Sequence, residues 1–312
     1  MKQLAVKTVF RTVTFCLAAG LCCAGSLHGA VIFEAHSPYH EVRVLDEQGA
    51  RVLKFNAAEE SRMSLANPLQ GHFEYTEYFH TPWVWNRDIH RVLMIGLGGG
   101  SIQRAYLHYY TNVVSETVEI DPIVVQVARK YFKVAESPRL RIRNQDGRVF
   151  LQRSVEAYDV IIMDAYTTSR YGSSIPPHLA TVEFFTLASS HLTTNGVLAY
   201  NVISRSHGSG PDILGAFYRT MKRVFPQVYL FQAQTSLNIV LVATKSPTAF
   251  GAERVQREGA ELIRAGTVRL PDFAARLRAF DDAAPRSAAN SPILTDDHAP
   301  VEKLMASEGL TR

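Results

Sequence analysis

Four positions along the middle of the chain carry groups that could hold a nucleoside and move a proton. Gly96-Leu97-Gly98-Gly99-Gly100-Ser101 follows the apolar run RVLMI and precedes a segment of helical spacing, IQRAYLHYY. A turn of this composition lets backbone approach a ligand where a Cβ would obstruct it. It departs from the dinucleotide fingerprint, because Ser101 stands where Gly or Ala is expected. Glu119 closes the next apolar run about twenty residues on, where a carboxylate can accept both hydroxyls of a ribose. Asp146 in NQDG and Asp164 in IIMDAY close two further runs. One aspartate at such a place is ordinarily a helix cap, whereas four groups in register point to a site.

For these groups to meet, the runs must be neighbouring parallel strands. From Arg91 onward apolar runs alternate with helical segments: VVQVARKYF as helix, LRIRNQD as strand, YDVIIMDAY as strand, VEFFTLASSHL as helix. GVLAYNVI, DILGAFYRTMKRVF, VYLFQAQ and NIVLVATK continue as strand, helix and a final strand pair. Strand, glycine turn, helix, strand opens a doubly wound α/β sheet, whose ligands lie beyond the carboxyl ends of the strands. Upstream, residues 31–55 alternate apolar and polar around Asp46-Glu47-Gln48-Gly49, which predicts a β-hairpin appendage, and residues 56–90 are expected to form a loop and a helix. Residues 248–287 predict two amphipathic helices with solvated, arginine-rich outer faces. The expected organisation is a targeting segment 1–30, a β-hairpin domain 31–88 and a Rossmann-like domain 89–312.

The 312 residues, 46% apolar and 20% charged, suffice for one large α/β domain with an appendage. Lys2, Lys7 and Arg11 precede the apolar stretch VTFCLAAGLCCAG, the layout of a secretory signal cleaved near Ala30. That layout predicts a periplasmic or secreted protein. An uncleaved segment would be an inner-membrane anchor, and a misassigned start codon would leave the protein cytoplasmic. Without those three charges the formal +4 falls to +1, which offers no basic face for nucleic acid. All three cysteines, Cys16, Cys22 and Cys23, lie in the same segment, so the body has no thiolate nucleophile and no cysteine metal site. No bound metal is expected.

The segments VLMIGLGGGS, VEIDP, NQDGRVFL, YDVIIMDAY and LTDDHAPVE, with FEYTEYFHT at 73–81, keep the order they have in spermidine synthases. The chain resembles that aminopropyltransferase family, in its bacterial spermidine synthase-like branch, from about residue 31 to 306. The resemblance implies a Rossmann-like fold of the S-adenosylmethionine-dependent methyltransferase type. It implies transfer of an aminopropyl group from decarboxylated S-adenosylmethionine to an amine, releasing methylthioadenosine, with no tightly bound cofactor. Asp164 matches the family's catalytic aspartate and Tyr75 its active-site tyrosine. Gly96 and Gly98 would line the sulfur side of the nucleoside, Glu119 the ribose, and Asp146 and Gly147 the adenine edge, with Gly100 and Asp121 as further nucleoside-binding candidates. Thr76, Glu77, Thr167 and His178 are the candidates for touching the amine, although a lone histidine is more often structural. Tyr78 and Trp83 are read as packing residues, and Asp296 and Asp297 as helix caps. The family's pairing habit implies a homodimer.

Three departures bear on the acceptor. Gly99 stands where the family has an aspartate near the transferable amine, Thr167 where it has a second aspartate, and Thr76 where it has a glutamine. Two missing carboxylates remove charge pairs that would hold a dicationic polyamine, so the acceptor site is expected to be altered. A methyltransferase using S-adenosylmethionine would share the nucleoside contacts. A secreted protein that binds a nucleoside or polyamine without reaction is the remaining alternative.

Overall fold

The computed structural model describes residues 29–169, 172–205 and 208–310. Apart from Gly29 and Ala30, the expected targeting segment, with its three cysteines, lies outside the described residues.

The chain begins with an antiparallel meander of β1 (Ala30–His36), β2 (Glu41–Glu47), β3 (Ala50–Phe55) and β4 (Ala58–Ser64). Between β2 and β3, Gln48 and Gly49 both have positive φ, 49° and 75°, and Glu47 pairs with Ala50. That is a two-residue turn whose twist matches its strands. Asn56 takes φ 53° and starts a second hairpin, so a strand stands where a loop was expected. β4 escapes a reading by alternation because AEESRMS buries only Met63 fully. Val42, Val44, Leu53 and Met63 pack against the helix that follows the second central strand.

A 3-10 helix, Glu74–Val84, carries the aromatic segment and buries Tyr78, Phe79 and Trp83. The α/β unit then runs β5 (Arg91–Ile95), α1 (Ser101–Tyr109), β6 (Val114–Glu119), α2 (Pro122–Tyr131), β7 (Leu140–Asn144), α3 (Gly147–Arg153) and β8 (Tyr158–Met163). A short hairpin, β9 (Thr167–Ser169) and β10 (Gly172–Ser174), precedes α4 (Val182–Ser190), β11 (Leu192–Ile203), α5 (Ile213–Met221), β12 (Gln227–Gln232) and β13 (Asn238–Thr244). The chain closes with α6 (Ala252–Arg264), α7 (Phe273–Leu277), β14 (Phe280–Asp281) and α8 (Val301–Ser307).

The large sheet has the order β14-β12-β13-β11-β8-β5-β6-β7. β7, β6, β5, β8 and β11 are parallel, and β13 lies antiparallel between β11 and β12. Val160, Ile161, Ile162 and Met163 on β8 are all buried, as a strand covered on both faces requires. From β5 the chain winds outward through β6 and β7, then returns to β8 on the other side. The crevice between β5 and β8 is therefore the topological switch point, where such sheets bind ligands. Among the described residues no helix is long and apolar enough to cross a membrane.

Candidate active site

A cavity of about 270 Å³ opens over the carboxyl ends of β5, β6, β7 and β8, walled on its far side by the β-meander and the 3-10 helix. Gly96 and Gly98 line its floor. Gly96 has φ 102°, and a Cβ there would stand 2.1 Å from the carbonyl oxygen of Asp164. Glycine is therefore what lets β5 and β8 end side by side.

Glu119 is buried at the tip of β6 and accepts the backbone N–H of Leu97 on Oε2 (3.0 Å) and of Asp121 on Oε1 (2.9 Å). One N–H on each oxygen leaves acceptor capacity on both, the geometry that a pair of ribose hydroxyls needs. Burial pushes this carboxyl up to about 7 against those bonds. Asp146 caps α3 by accepting the Val149 N–H (2.9 Å) on Oδ1 and meets His178 Nε2 at 3.0 Å on Oδ2. That bond holds its pKa below the usual range. A Cβ on Gly147 would lie 2.4 Å from Cγ2 of Ile95, so α3 starts hard against β5.

Asp164 is held from both sides. Tyr75 donates its hydroxyl to Oδ2 (3.1 Å) and Asn201 its amide to Oδ1 (2.9 Å). Asn201 in turn accepts from Asn238 Nδ2 (3.0 Å), whose own oxygen accepts Ser236 Oγ (2.7 Å). This chain fixes the carboxylate rotamer, and burial pushes its pKa up to about 6. Burial and the neighbouring carboxylates push the Tyr75 phenol well above its ordinary value. Tyr75 is thus a hydrogen-bond donor and not a base near neutral pH.

The structure separates some residues that the sequence grouped. Asp121 is fully buried away from the cavity, capping α2 through Ile123 N–H (2.8 Å) and accepting Ser37 Oγ from the meander (2.5 Å). Gly100 caps α1 at φ 68° beside Val134, outside the cavity wall. Glu77 turns to Arg276 (2.6 Å) and His72 (3.0 Å), because an ion pair is available there. Arg276, expected on a solvated face, is drawn inward by Glu74 and Glu77. Thr76, Thr167 and His178 do line the cavity, but the Thr76 hydroxyl donates to Phe73 O (2.8 Å) and that of Thr167 to Ser174 O (3.3 Å). Asp296 accepts from Arg148 (2.7 and 2.6 Å) and from the Thr181 hydroxyl (2.7 Å), where a helix cap was expected; Thr181 itself caps α4.

Sequence reasoning missed Glu60, Ser61, Tyr166 and Asn201. Three line the cavity and Asn201 positions Asp164. A lone amide in the buried strand GVLAYNVI is a signal that could have found Asn201, since buried amides need partners. Among the described residues the lining holds four carboxylates, Glu60, Glu119, Asp146 and Asp164, and neither lysine nor arginine.

These features define an α/β domain of the methyltransferase type, with a carboxylate-lined cavity at its topological switch point. Residues 72–240 match the sequence model of the Spermine/spermidine synthase domain family. A polyamine aminopropyltransferase of Vibrio vulnificus is 33% identical over 222 residues, covering 68% of this chain and 71% of the relative. The chain belongs to the spermine/spermidine synthase family. Among solved structures, a probable spermidine synthase from Corynebacterium glutamicum superposes with a TM-score of 0.59 at 20% identity, covering 73% of this chain and 86% of that one. Human methyltransferase-like protein 13, in complex with SAH, superposes at 0.51 and 24% identity, covering 62% and 89%. Both likenesses concern the fold.

Proposed function

We propose that this chain transfers an aminopropyl group from decarboxylated S-adenosylmethionine to an amine, at an acceptor site altered from that of its relatives. The carrying observation is the charge of the lining: four carboxylates around one cavity and, among the described residues, no lysine or arginine beside them. Such a cavity favours cations, and both substrates of this reaction are cationic: a sulfonium bearing an ammonium, and an alkylamine. S-adenosylmethionine would bring its own carboxylate to the same walls, which counts against the methyltransferase alternative.

The reaction needs an unprotonated amine, although an alkylamine has a pKa of ~10 in water. Burial beside the sulfonium lowers the cost of losing that proton, and Asp164, held by Tyr75 and Asn201, accepts it. The freed lone pair attacks the methylene next to sulfur. A C–N bond forms, the C–S bond breaks, and its electron pair stays on sulfur, giving neutral methylthioadenosine. Holding donor and acceptor in line supplies much of the rate.

The test is to incubate the purified chain with decarboxylated S-adenosylmethionine and a panel of amines and to follow methylthioadenosine by mass spectrometry. Amine-dependent release is the expected result. Binding of methylthioadenosine without release under any amine would replace the transferase with a binding role. The N-terminal segment is proposed to export the chain, and a reporter fused after residue 30 that stays in the cytoplasm would overturn that part alone.

A further inference from the structure

The glycine turn has no room for an acidic side chain of its own. Gly99 donates its N–H to Ser61 Oγ at 2.8 Å, and a Cβ on Gly99 would stand 2.8 Å from Cβ of Ser61 and 3.0 Å from the ring of Phe132. β4 is therefore packed directly on the turn. The register of β3 and β4 slips at this place: Leu53 pairs with Ser61 and Lys54 with Glu59, which leaves Glu60 as the unpaired residue of a β-bulge. A bulge re-aims a side chain that strand alternation would send elsewhere. Here it lets Glu60 line the cavity, while Glu59 faces Arg62 (3.3 Å).

Among the described residues no cation stands against Glu60. Its hydrogen bond comes from Ser173 Oγ on β10 (3.2 Å); it feels the charge of Asp164, and its own charge is felt by Tyr75 and Tyr166. These neighbours place it at the Asp164 end of the cavity. Burial pushes its pKa up to about 7, as expected of a desolvated carboxyl. We propose that Glu60 is a specificity-determining residue: it receives the ammonium of the donor and selects decarboxylated S-adenosylmethionine over S-adenosylmethionine, whose additional carboxylate it repels. This rests on the reading of the cavity as an aminopropyltransferase site. The carboxylate absent from position 99 is supplied from the N-terminal sheet.

Calorimetric titration of the full chain and of Glu60→Gln with methylthioadenosine, decarboxylated S-adenosylmethionine and S-adenosylmethionine tests this. Methylthioadenosine has neither ammonium nor carboxylate, so it reports an intact pocket and should bind both proteins within about twofold. The variant should bind the decarboxylated donor about tenfold or more weakly, the usual scale of a charged hydrogen bond, and S-adenosylmethionine no more weakly than before. Equal weakening of all three would make Glu60 a structural residue, and an undiminished preference for the decarboxylated donor would overturn the assignment. If the unaltered chain binds methylthioadenosine, either result falls on Glu60 alone. If it binds none of the three nucleosides, the reading of the site falls with it.

Discussion

At the scale of the residue, the site divides its work between carboxylates that look alike in the sequence and differ in what surrounds them. Asp164 is clamped by two neutral donors, Tyr75 and Asn201, which orient it without neutralising it. Asp164→Asn preserves shape and removes the proposed proton acceptor. Turnover should fall by about 10²–10⁴ while methylthioadenosine affinity stays within about twofold, measured by product release and calorimetry on the same preparation. Glu119 has the opposite assignment. Glu119→Ala removes the ribose acceptor and leaves the Leu97 and Asp121 N–H groups without it, so nucleoside affinity should drop about tenfold or more. Equal loss of affinity in both variants would erase the distinction between a chemical and a binding carboxylate.

At the scale of the element, the strand ends do the positioning, and one glycine sets their spacing. Gly96→Ala combines a φ of 102° with a Cβ 2.1 Å from the Asp164 carbonyl, so it should cost about 3 kcal/mol or more of stability in urea denaturation. A wild-type midpoint would mean that β5 and β8 can part without penalty. The same elements explain what the sequence made legible. β5, β6, β7 and β8 each lead to a glycine or a carboxylate at their carboxyl ends; β5 and β8 are apolar runs that read as covered strands, whereas β7 is legible by alternation, Leu140 and Ile142 inside and its arginines exposed. β4 is polar along its length and owes its place to the turn at Asn56 and to contact with the glycine turn, neither of which has a periodic signature. Its bulge then hides Glu60 from any alternation pattern. Asp121 was grouped with the site because it follows Glu119, yet its Pro122 marks a helix start, and capping takes precedence over ligand contact there.

At the scale of the whole molecule, a cavity lined by buried carboxylates ties stability to pH and to ligand. Burial raises Glu60 and Glu119 to about 7 and Asp164 to about 6. A carboxyl whose folded pKa is raised contributes stability that is present below its unfolded pKa and is lost as pH rises through the folded one. For this trio the loss runs from about 4 to about 7. His80, lowered by burial to about 3, and His40, lowered by burial despite Asp121, work in the other direction, draining stability as pH falls below about 6.5. The two trends overlap, so the total curve is a poor witness and the difference between two proteins is a good one. Glu60→Gln removes one carboxyl and leaves both histidines, so its Tm relative to the unaltered chain should rise with pH between about 4.5 and 7, by an amount on the order of 3 °C, and then level off. Decarboxylated S-adenosylmethionine should narrow that gap at pH 8 by bringing a cation to Glu60, whereas methylthioadenosine should leave it unchanged. A Tm difference that is flat with pH would show that Glu60 titrates as an ordinary surface carboxyl. The charge argument for a cationic substrate would then rest on Glu119, Asp146 and Asp164 alone.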